Sequence, residues 1–509
     1  MDANRDSSLR RQAVIDHRTA RAPFARLAQR RLFVGGNWVE PRSADTLPVE
    51  DPSTGERWAE LPAANEADVD AAVRAARDAF ERYWQQSTPA QRRAALLRLA
   101  EKVESCLDEL ATIESIDVGM VRTVARNFGA KALVRNLEYY ASWCDKIYGS
   151  LVPLPAGGNA LDYQRREPYG VVAAITAWNT PLVFLGSKVG PALATGNTVV
   201  IKPSELGSLS TLRFAELCQE ADLPPGIVNV VTGGPSTGQA LVSHPEVDKV
   251  SFTGGCATGR RIAEMAGRLL KKSTLELGGK SPQLVFADAP IDRAVAGVGL
   301  GGLALSGQAC AAGTRIYVER PIYHEFVERL VGFCCGLPIG DPLSAGTLLG
   351  PLISAAQLEK VQRYIDAAEA QGATFLCKSE RLGGDLASGF FLSPTIVAGL
   401  SQDSPVVQEE IFGPVLAVFP FEDEEEAVTL ANGTRFGLAA GVWTNNLSRA
   451  HRLAHRLKAG IVWLNTYGNL PYTVPFGGYQ DSGWGREAGR EALFEYTQIK
   501  NVYVDLSER

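Results

Sequence analysis

The sequence has no excess of basic charge. Its 51 Lys and Arg stand against 57 Asp and Glu, a net charge of −6, which leaves no cationic footprint for nucleic acid. It has no CxxC pair. Its 8 cysteines, Cys106, Cys144, Cys218, Cys256, Cys310, Cys334, Cys335 and Cys377, are scattered along the chain. That excludes a small disulfide scaffold and makes a reducing compartment, here the cytoplasm, the expected setting. It has no HExxH. His451 and His455 lie one helical turn apart, but no Glu follows His451 and no third ligand is apparent. A solvent-facing helix and no catalytic metal are expected there. Unbroken apolar runs are lacking too. Residues 168–187 contain Asn179 and Pro181, and 294–314 contain Gly297, Gly299, Gly301, Gly302, Gly307 and Gly313 with Ser306 and Gln308. Both stretches read as buried core, so no membrane partner is expected.

What is present is enough for two or three domains: 509 residues, 45% hydrophobic and 21% charged. There is no internal repeat. Residues 1–31 are Arg-rich and end in Arg30 and Arg31, yet Asp2, Asp6 and Asp16 interrupt them and no apolar signal core follows. A solvated extension is expected rather than a targeting segment.

Phe33–Trp38 reads as a hairpin about Gly35-Gly36, and Asp51–Glu56 as a turn. Helices are expected over 66–85, 88–113 and 126–148, the second starting at Thr88-Pro89. From Val171 the pattern alternates. Short apolar strands at Val171–Thr176, Thr198–Lys202, Val228–Val231 and Lys249–Thr253 are separated by helices at 182–195, 208–221 and 236–243, and another helix spans Gly259–Leu270. This is the pattern of a parallel, doubly wound α/β sheet. A second α/β pattern begins near 281, with strands at Leu284–Phe286, Arg315–Val318, Val415–Phe419 and Ile461–Leu464, and helices at 321–334, 354–371 and 446–458. Asn501–Leu506 alternates as a strand suited to a partner's sheet.

Four segments carry chemistry: Ala177-Trp-Asn-Thr-Pro181, Glu276-Leu-Gly-Gly-Lys280, Gly307-Gln-Ala-Cys310 and Glu409-Glu-Ile-Phe-Gly-Pro414. With Ile201-Lys-Pro-Ser-Glu205, Ser251-Phe-Thr-Gly254, Pro475-Phe-Gly-Gly478, Ser482-Gly483 and Gly485-Arg-Glu487, the chain resembles the aldehyde dehydrogenase superfamily from about residue 32 to its end. The resemblance implies an NAD-binding Rossmann-type domain over 32–148 and 169–278 and an α/β catalytic domain over 279–485. It also implies a small β oligomerisation arm from 149–168 and 486–509, after an extension over 1–31. It implies NAD(P)-dependent oxidation of a small-molecule aldehyde to a carboxylic acid, in a homodimer or homotetramer.

In the residues themselves, Cys310 among Gly307, Gln308, Ala309 and Ala311 is either one more buried thiol or a nucleophile. The family puts its nucleophile there. Asn179, on its own a turn residue, corresponds to the amide that cradles an oxyanion with the cysteine N–H. Glu276 corresponds to the general base for thioester hydrolysis, which favours a free acid over transfer to coenzyme A. Glu410 and Phe412, on their own a solvated acid and a neighbouring aromatic, correspond to the nicotinamide side, and Trp178 and Leu277 are expected beside the cofactor. Lys202, Ser204 and Glu205 correspond to the adenosine ribose, where a Glu favours NAD but leaves NADP open. Thr253, Gly254, Gly255 and Gly259 offer a helix N-terminus to pyrophosphate; Gly255 stands where the family more often has serine. Gly297-Val-Gly-Leu-Gly-Gly302 satisfies G-x-G-x-x-G, but follows no strand and is expected to pack a helix. Gln480 stands where many relatives have lysine. The substrate tunnel is expected to involve Thr180, Phe184, Ser187, Ala309, Ala311 and Phe476. Thr180 and Ser187, in place of aromatics, suggest a bulkier or more polar aldehyde.

Overall fold

In a computed structural model, residues 15–28, 31–155 and 159–507 are described. Five short strands run parallel in the first sheet, in the spatial order Val228–Val230, Thr198–Lys202, Val171–Ile175, Lys249–Thr253, Lys272–Glu276. The three central ones are buried at every residue, as strands covered by helices on both faces must be. Chain order reverses between Val171–Ile175 and Lys249–Thr253. A crevice therefore opens beyond their carboxyl ends, the usual ligand position in open α/β sheets.

The expected hairpin extends one edge of this sheet. Leu32–Val34 pairs with Asn37–Val39 about Gly35 and Gly36. Both glycines are left-handed, with φ of 61° and 81°, which suits a tight turn between twisted strands. At the other edge Gly483–Trp484 pairs antiparallel with Leu275 and Glu276. Sequence order places that dipeptide with the second unit; the fold returns it to the first.

The second sheet has seven strands in the order Thr374–Cys377, Thr395–Ala398, Val415–Phe421, Arg315–Glu319, Pro282–Val285, Ala439–Trp443, Ile461–Leu464. All are parallel except the first, which is an antiparallel edge. The G-x-G-x-x-G match lies inside the helix Ile291–Leu303. A Cβ at Gly297, Gly299, Gly301 or Gly302 would come within 2.1–2.7 Å of Trp443, Phe333, Tyr467 or Leu416. These glycines let neighbouring layers approach the helix, as read from sequence.

A separate two-stranded ribbon joins Thr497–Asp505 to Ala160–Pro168 along their whole lengths. The terminal strand begins four residues before its expected start. Residues 166–168 belong to the ribbon, and the bend follows at Tyr169-Gly170, where Gly170 has φ of 135°. The helix expected over 88–113 starts in a capping box at Thr88 and breaks after Glu104, resuming at Leu107. Those expected over 66–85 and 126–148 each contain one wide turn, at Phe80–Trp84 and Ala125–Ala130.

The expectation of a solvated extension is corrected over residues 15–28. His17 and Arg21 are buried, and Phe24 and Leu27 enter the core. His17 Nδ1 lies 2.7 Å from Asp51 Oδ2 and Nε2 lies 3.1 Å from Asp341 Oδ2. Arg21 donates to Glu56 Oε2 at 2.7 Å. Two apolar residues on one side, and carboxylates waiting for the two cations, give this segment a docking site that Arg-rich composition conceals. Residues 1–14, 29 and 30 lie outside the described residues. Among the described residues no helix is long and apolar enough to cross a membrane.

Candidate active site

The strand Val171–Ile175 runs into a short loop, and Pro181 then opens the helix Pro181–Ala194. Proline at the first helical position costs no hydrogen bond there. The loop aims Asn179 at the Cys310 segment: its Nδ2 donates to the Gln308 carbonyl at 3.0 Å. Gln308 is itself fixed, its Nε2 donating to Pro351 O at 3.3 Å and its Oε1 accepting the Ile353 N–H at 2.9 Å. Leu305, Ser306 and Gly307 all have left-handed φ, between 54° and 75°, a tight coil that delivers a half-buried Cys310. A Cβ at Gly307 would sit 2.2 Å from the Gly413 carbonyl oxygen, so no side chain fits there.

Glu276 ends the strand Lys272–Glu276. It is 4% exposed, and neither carboxyl oxygen has a hydrogen-bond partner. Burial first, then the Glu487 carboxylate, pushes its pKa well above the usual carboxylate range, against a weaker pull from Lys188 and Arg486. Burial, with Glu410 and Glu276 adding to it, pushes the Cys310 thiol up to about 12. The Glu276 carboxylate thus adds to the penalty on a Cys310 thiolate.

At the crevice, Thr253 Oγ1 is buried without a partner. The helix Cys256–Arg268 begins at Gly255 with no side-chain cap, and the space a Gly255 Cβ would take is open. At Gly259 a Cβ would lie 2.4 Å from Leu277 Cδ2; bare backbone there seats the helix on the strand end. Lys202 Nζ donates to Pro203 O at 2.9 Å and lies 3.5 Å from Glu205 Oε2. Ser204 Oγ accepts the Leu206 N–H at 3.3 Å. On the facing side the Trp178 and Phe412 rings meet edge to face, centroids 5.3 Å apart. Glu410 Oε1 accepts the Gly279 N–H at 3.3 Å, and Lys360 Nζ donates to the Glu410 carbonyl at 3.1 Å. Burial raises the Glu410 carboxyl to about 7, outweighing Lys360 and Lys280.

Thr180, Phe184 and Ser187 are buried at the start of the helix Pro181–Ala194. Ala309 and Ala311 flank Cys310, and the Ala311 carbonyl accepts the Tyr467 hydroxyl at 2.7 Å. Phe476 exchanges both backbone hydrogen bonds with Glu487, at 2.7 and 2.8 Å. Ser187, read as a tunnel residue, gives its hydroxyl to Glu487 Oε2 at 2.8 Å. Lys188 was not singled out in the sequence, and Glu487 was quoted only as the end of Gly485-Arg-Glu487, with no role. Lys188 Nζ donates to Glu487 Oε1, and to Ser251 Oγ at 3.1 Å, in a buried cluster behind Glu276. The signal was a lone lysine in an otherwise uncharged helix, a position that demands a buried counter-charge. A small cavity lies beside Asn179, walled by Met120, Val124, Trp178 and Leu305; residues 118–124 carry no motif that marks it in sequence.

Residues 38–502 match the aldehyde dehydrogenase family. The chain belongs to that family. Among solved structures, an aldehyde dehydrogenase from Bacillus cereus in its NAD+ complex is 40% identical, with a TM-score of 0.93 over 97% of this chain and 100% of that one. PnpE from Pseudomonas sp. WBC-3 is 42% identical, TM-score 0.91, over 94% and 98%. Betaine aldehyde dehydrogenase from Staphylococcus aureus, in complex with NAD+, is 35% identical, TM-score 0.93, over 96% and 97%. The aldehyde dehydrogenase fold accounts for the two α/β sheets here. Among the described residues no group of three or more His, Cys, Asp or Glu is placed to hold a metal ion.

Proposed function

We propose that the chain oxidises an aldehyde to a carboxylic acid with NAD as the redox partner and Cys310 as nucleophile. The observation that carries this reading is the meeting of the Asn179–Gln308 contact, Cys310 and the unpartnered Glu276 carboxyl beside one crevice.

The crevice suits a dinucleotide. It has an uncapped helix N-terminus at Gly255 for pyrophosphate, an unpartnered Thr253 hydroxyl, and carboxylates at Glu205 and Glu410 for ribose hydroxyls. Lys202, Ser204, Gly254, Gly259 and Leu277 would complete the adenosine and pyrophosphate side, with Trp178 and Phe412 on the nicotinamide side. Glu205 beside Lys202 favours NAD over NADP, because a carboxylate repels a 2′-phosphate. The chemistry NAD supplies when bound is acceptance of a hydride.

The Cys310 sulfur attacks the aldehyde carbon, and the thiol proton passes to solvent water. The carbonyl oxygen becomes an oxyanion between Asn179 Nδ2 and the Cys310 N–H; one such donor is worth on the order of 10²–10³ in rate. Loss of hydride from the thiohemiacetal leaves a thioester on Cys310. Glu276, as its carboxylate, then takes a proton from water, whose oxygen attacks the thioester carbon; the carbon–sulfur bond breaks, the Cys310 sulfur recovers that proton, and the acid is released. A carboxyl with a raised pKa is matched to that work near neutral pH. Ser187 is committed to Glu487, so the tunnel is widened by lost aromatic volume rather than by a free hydroxyl at 187. This favours a bulky aldehyde.

A panel of aldehydes with NAD, followed by absorbance of the reduced cofactor and by product analysis, tests the reading. No reduction with any aldehyde, or acyl-coenzyme A as the product when coenzyme A is present, would sink it.

A further inference from the structure

The sulfurs of Cys335 and Cys377 meet across 42 residues of sequence. Cys335 is the exposed last residue of the helix Tyr323–Cys335, and Cys377 is the half-buried last residue of the edge strand Thr374–Cys377. Their Cα atoms are 7.2 Å apart, just beyond the usual disulfide span, so closing a bond draws the strand end toward the helix.

Two local features bring them together. The first is the helix end. Consecutive helical residues point about 100° apart. Cys334 faces inward, its sulfur near Gly299, and Cys335 therefore faces out and sideways. The second is an irregularity in the edge strand. Phe375 pairs with Val397 and Cys377 with Ile396, so the register shifts by one residue at Leu376. In a regular strand Cys377 would share a face with Phe375, which packs on the opposite core. The bulge puts Leu376 and Cys377 on the same side instead, against the core that includes Cys334. The strand is thus bent so that Cys377 meets the end of the helix.

We propose that Cys335 and Cys377 are a reversible oxidation site, closed by a peroxide-class oxidant and reopened by a small thiol. Peroxide oxidises the exposed Cys335 thiol to a sulfenic acid, releasing one water. The Cys377 thiol attacks that sulfur, a second water leaves, and the two sulfurs are bonded. Two thiols give up two electrons and two protons, and one peroxide becomes two waters. The site at a helix C-terminus disfavours thiolate, so closure needs peroxide in excess. Cys144, Cys218 and Cys334 are buried, burial keeps Cys310 a thiol, and Cys106 and Cys256 are only half-exposed, whereas Cys335 is exposed. Closure ties the edge strand, and the loop after it, to the helix. That loop reaches the first unit, where the Phe390 N–H donates to Pro52 O.

The full chain is reduced, desalted, exposed to hydrogen peroxide, quenched with N-ethylmaleimide and digested for mass mapping. The expected product is one peptide pair linked through Cys335 and Cys377, about 2 Da lighter than the two thiols and restored by dithiothreitol. The oxidised chain is expected to melt several degrees above the reduced one. Cys335→Ser and Cys377→Ser should each melt like the reduced wild type and lose the peroxide shift. Full labelling of both cysteines after peroxide, a Cys334–Cys335 link instead, or an oxidised chain that melts no higher would overturn the proposal.

Discussion

Glu276 adds to the penalty on a Cys310 thiolate, but the two serve different steps, which makes their variants distinguishable. Cys310→Ala removes the only group placed to form a covalent adduct in the proposed chemistry. Reduction of NAD is expected to fall by on the order of 10⁴ or more, while NAD binding, followed by quenching of protein fluorescence, persists. Substantial turnover in the purified variant would place the nucleophile elsewhere. Glu276→Gln acts later. Steady turnover is expected to drop on the order of 10²-fold or more, but a first burst of reduced cofactor should remain in stopped-flow traces. The pH dependence carries a sign. An acid with a raised pKa gains its base form as pH rises, so wild-type turnover should climb with pH above the ordinary carboxylate range and that of Glu276→Gln should lack this rise. Cys310, Asn179 and Glu276 were legible in sequence because each sits in a short motif of rigid neighbours. Lys188 and Glu487 were not. They lie about 300 residues apart, and only the folded chain reveals that the buried charge of one requires the other.

Among elements, the segment from His17 to Ala28 makes the sharpest prediction. His17 is held between Asp51 and Asp341, and these partners raise its pKa from 6.5 to about 9, although burial opposes them. A raised histidine stabilises the fold fully below its unfolded pKa, and the contribution is lost as pH rises through the folded one. The melting-temperature gap between wild type and His17→Gln should therefore be several degrees near pH 6 and should close above about pH 9. A gap that does not change with pH would show that His17 acts by packing alone. Glu114 and Asp117 nearby are raised to about 8 and 7 by burial, so the wild type loses their contribution over the same range; the difference between the two proteins isolates His17. The central strands were legible because burial on both faces leaves continuous apolar runs. The ribbon of Thr46–Asp51 and Glu56–Pro62 was not, although its turn was: its strands are mostly half-exposed and mix charges with apolar residues. Arginine content hid the docking of residues 15–28 in the same way.

Across the whole molecule, the terminal ribbon exposes Ile499, Tyr503 and Leu161, an open edge that native proteins normally cover. We expect a symmetric oligomer, a dimer at least, formed through this ribbon, and expect deletion of residues 499–509 to weaken or destroy it. Light scattering decides: an intact chain that stays monomeric and active at 54.7 kDa in micromolar solution refutes the assembly. The other edge of the first sheet has a consequence in time. The strand carrying Glu276 is completed by Gly483–Trp484, which is synthesised roughly 200 residues later, about 10–40 s at ordinary ribosomal rates. Through that interval the nascent chain holds an unpaired β edge beside its future cleft. Messages broken upstream of codon 483 would yield products with that edge permanently bare, which makes them natural clients for chaperones and proteases.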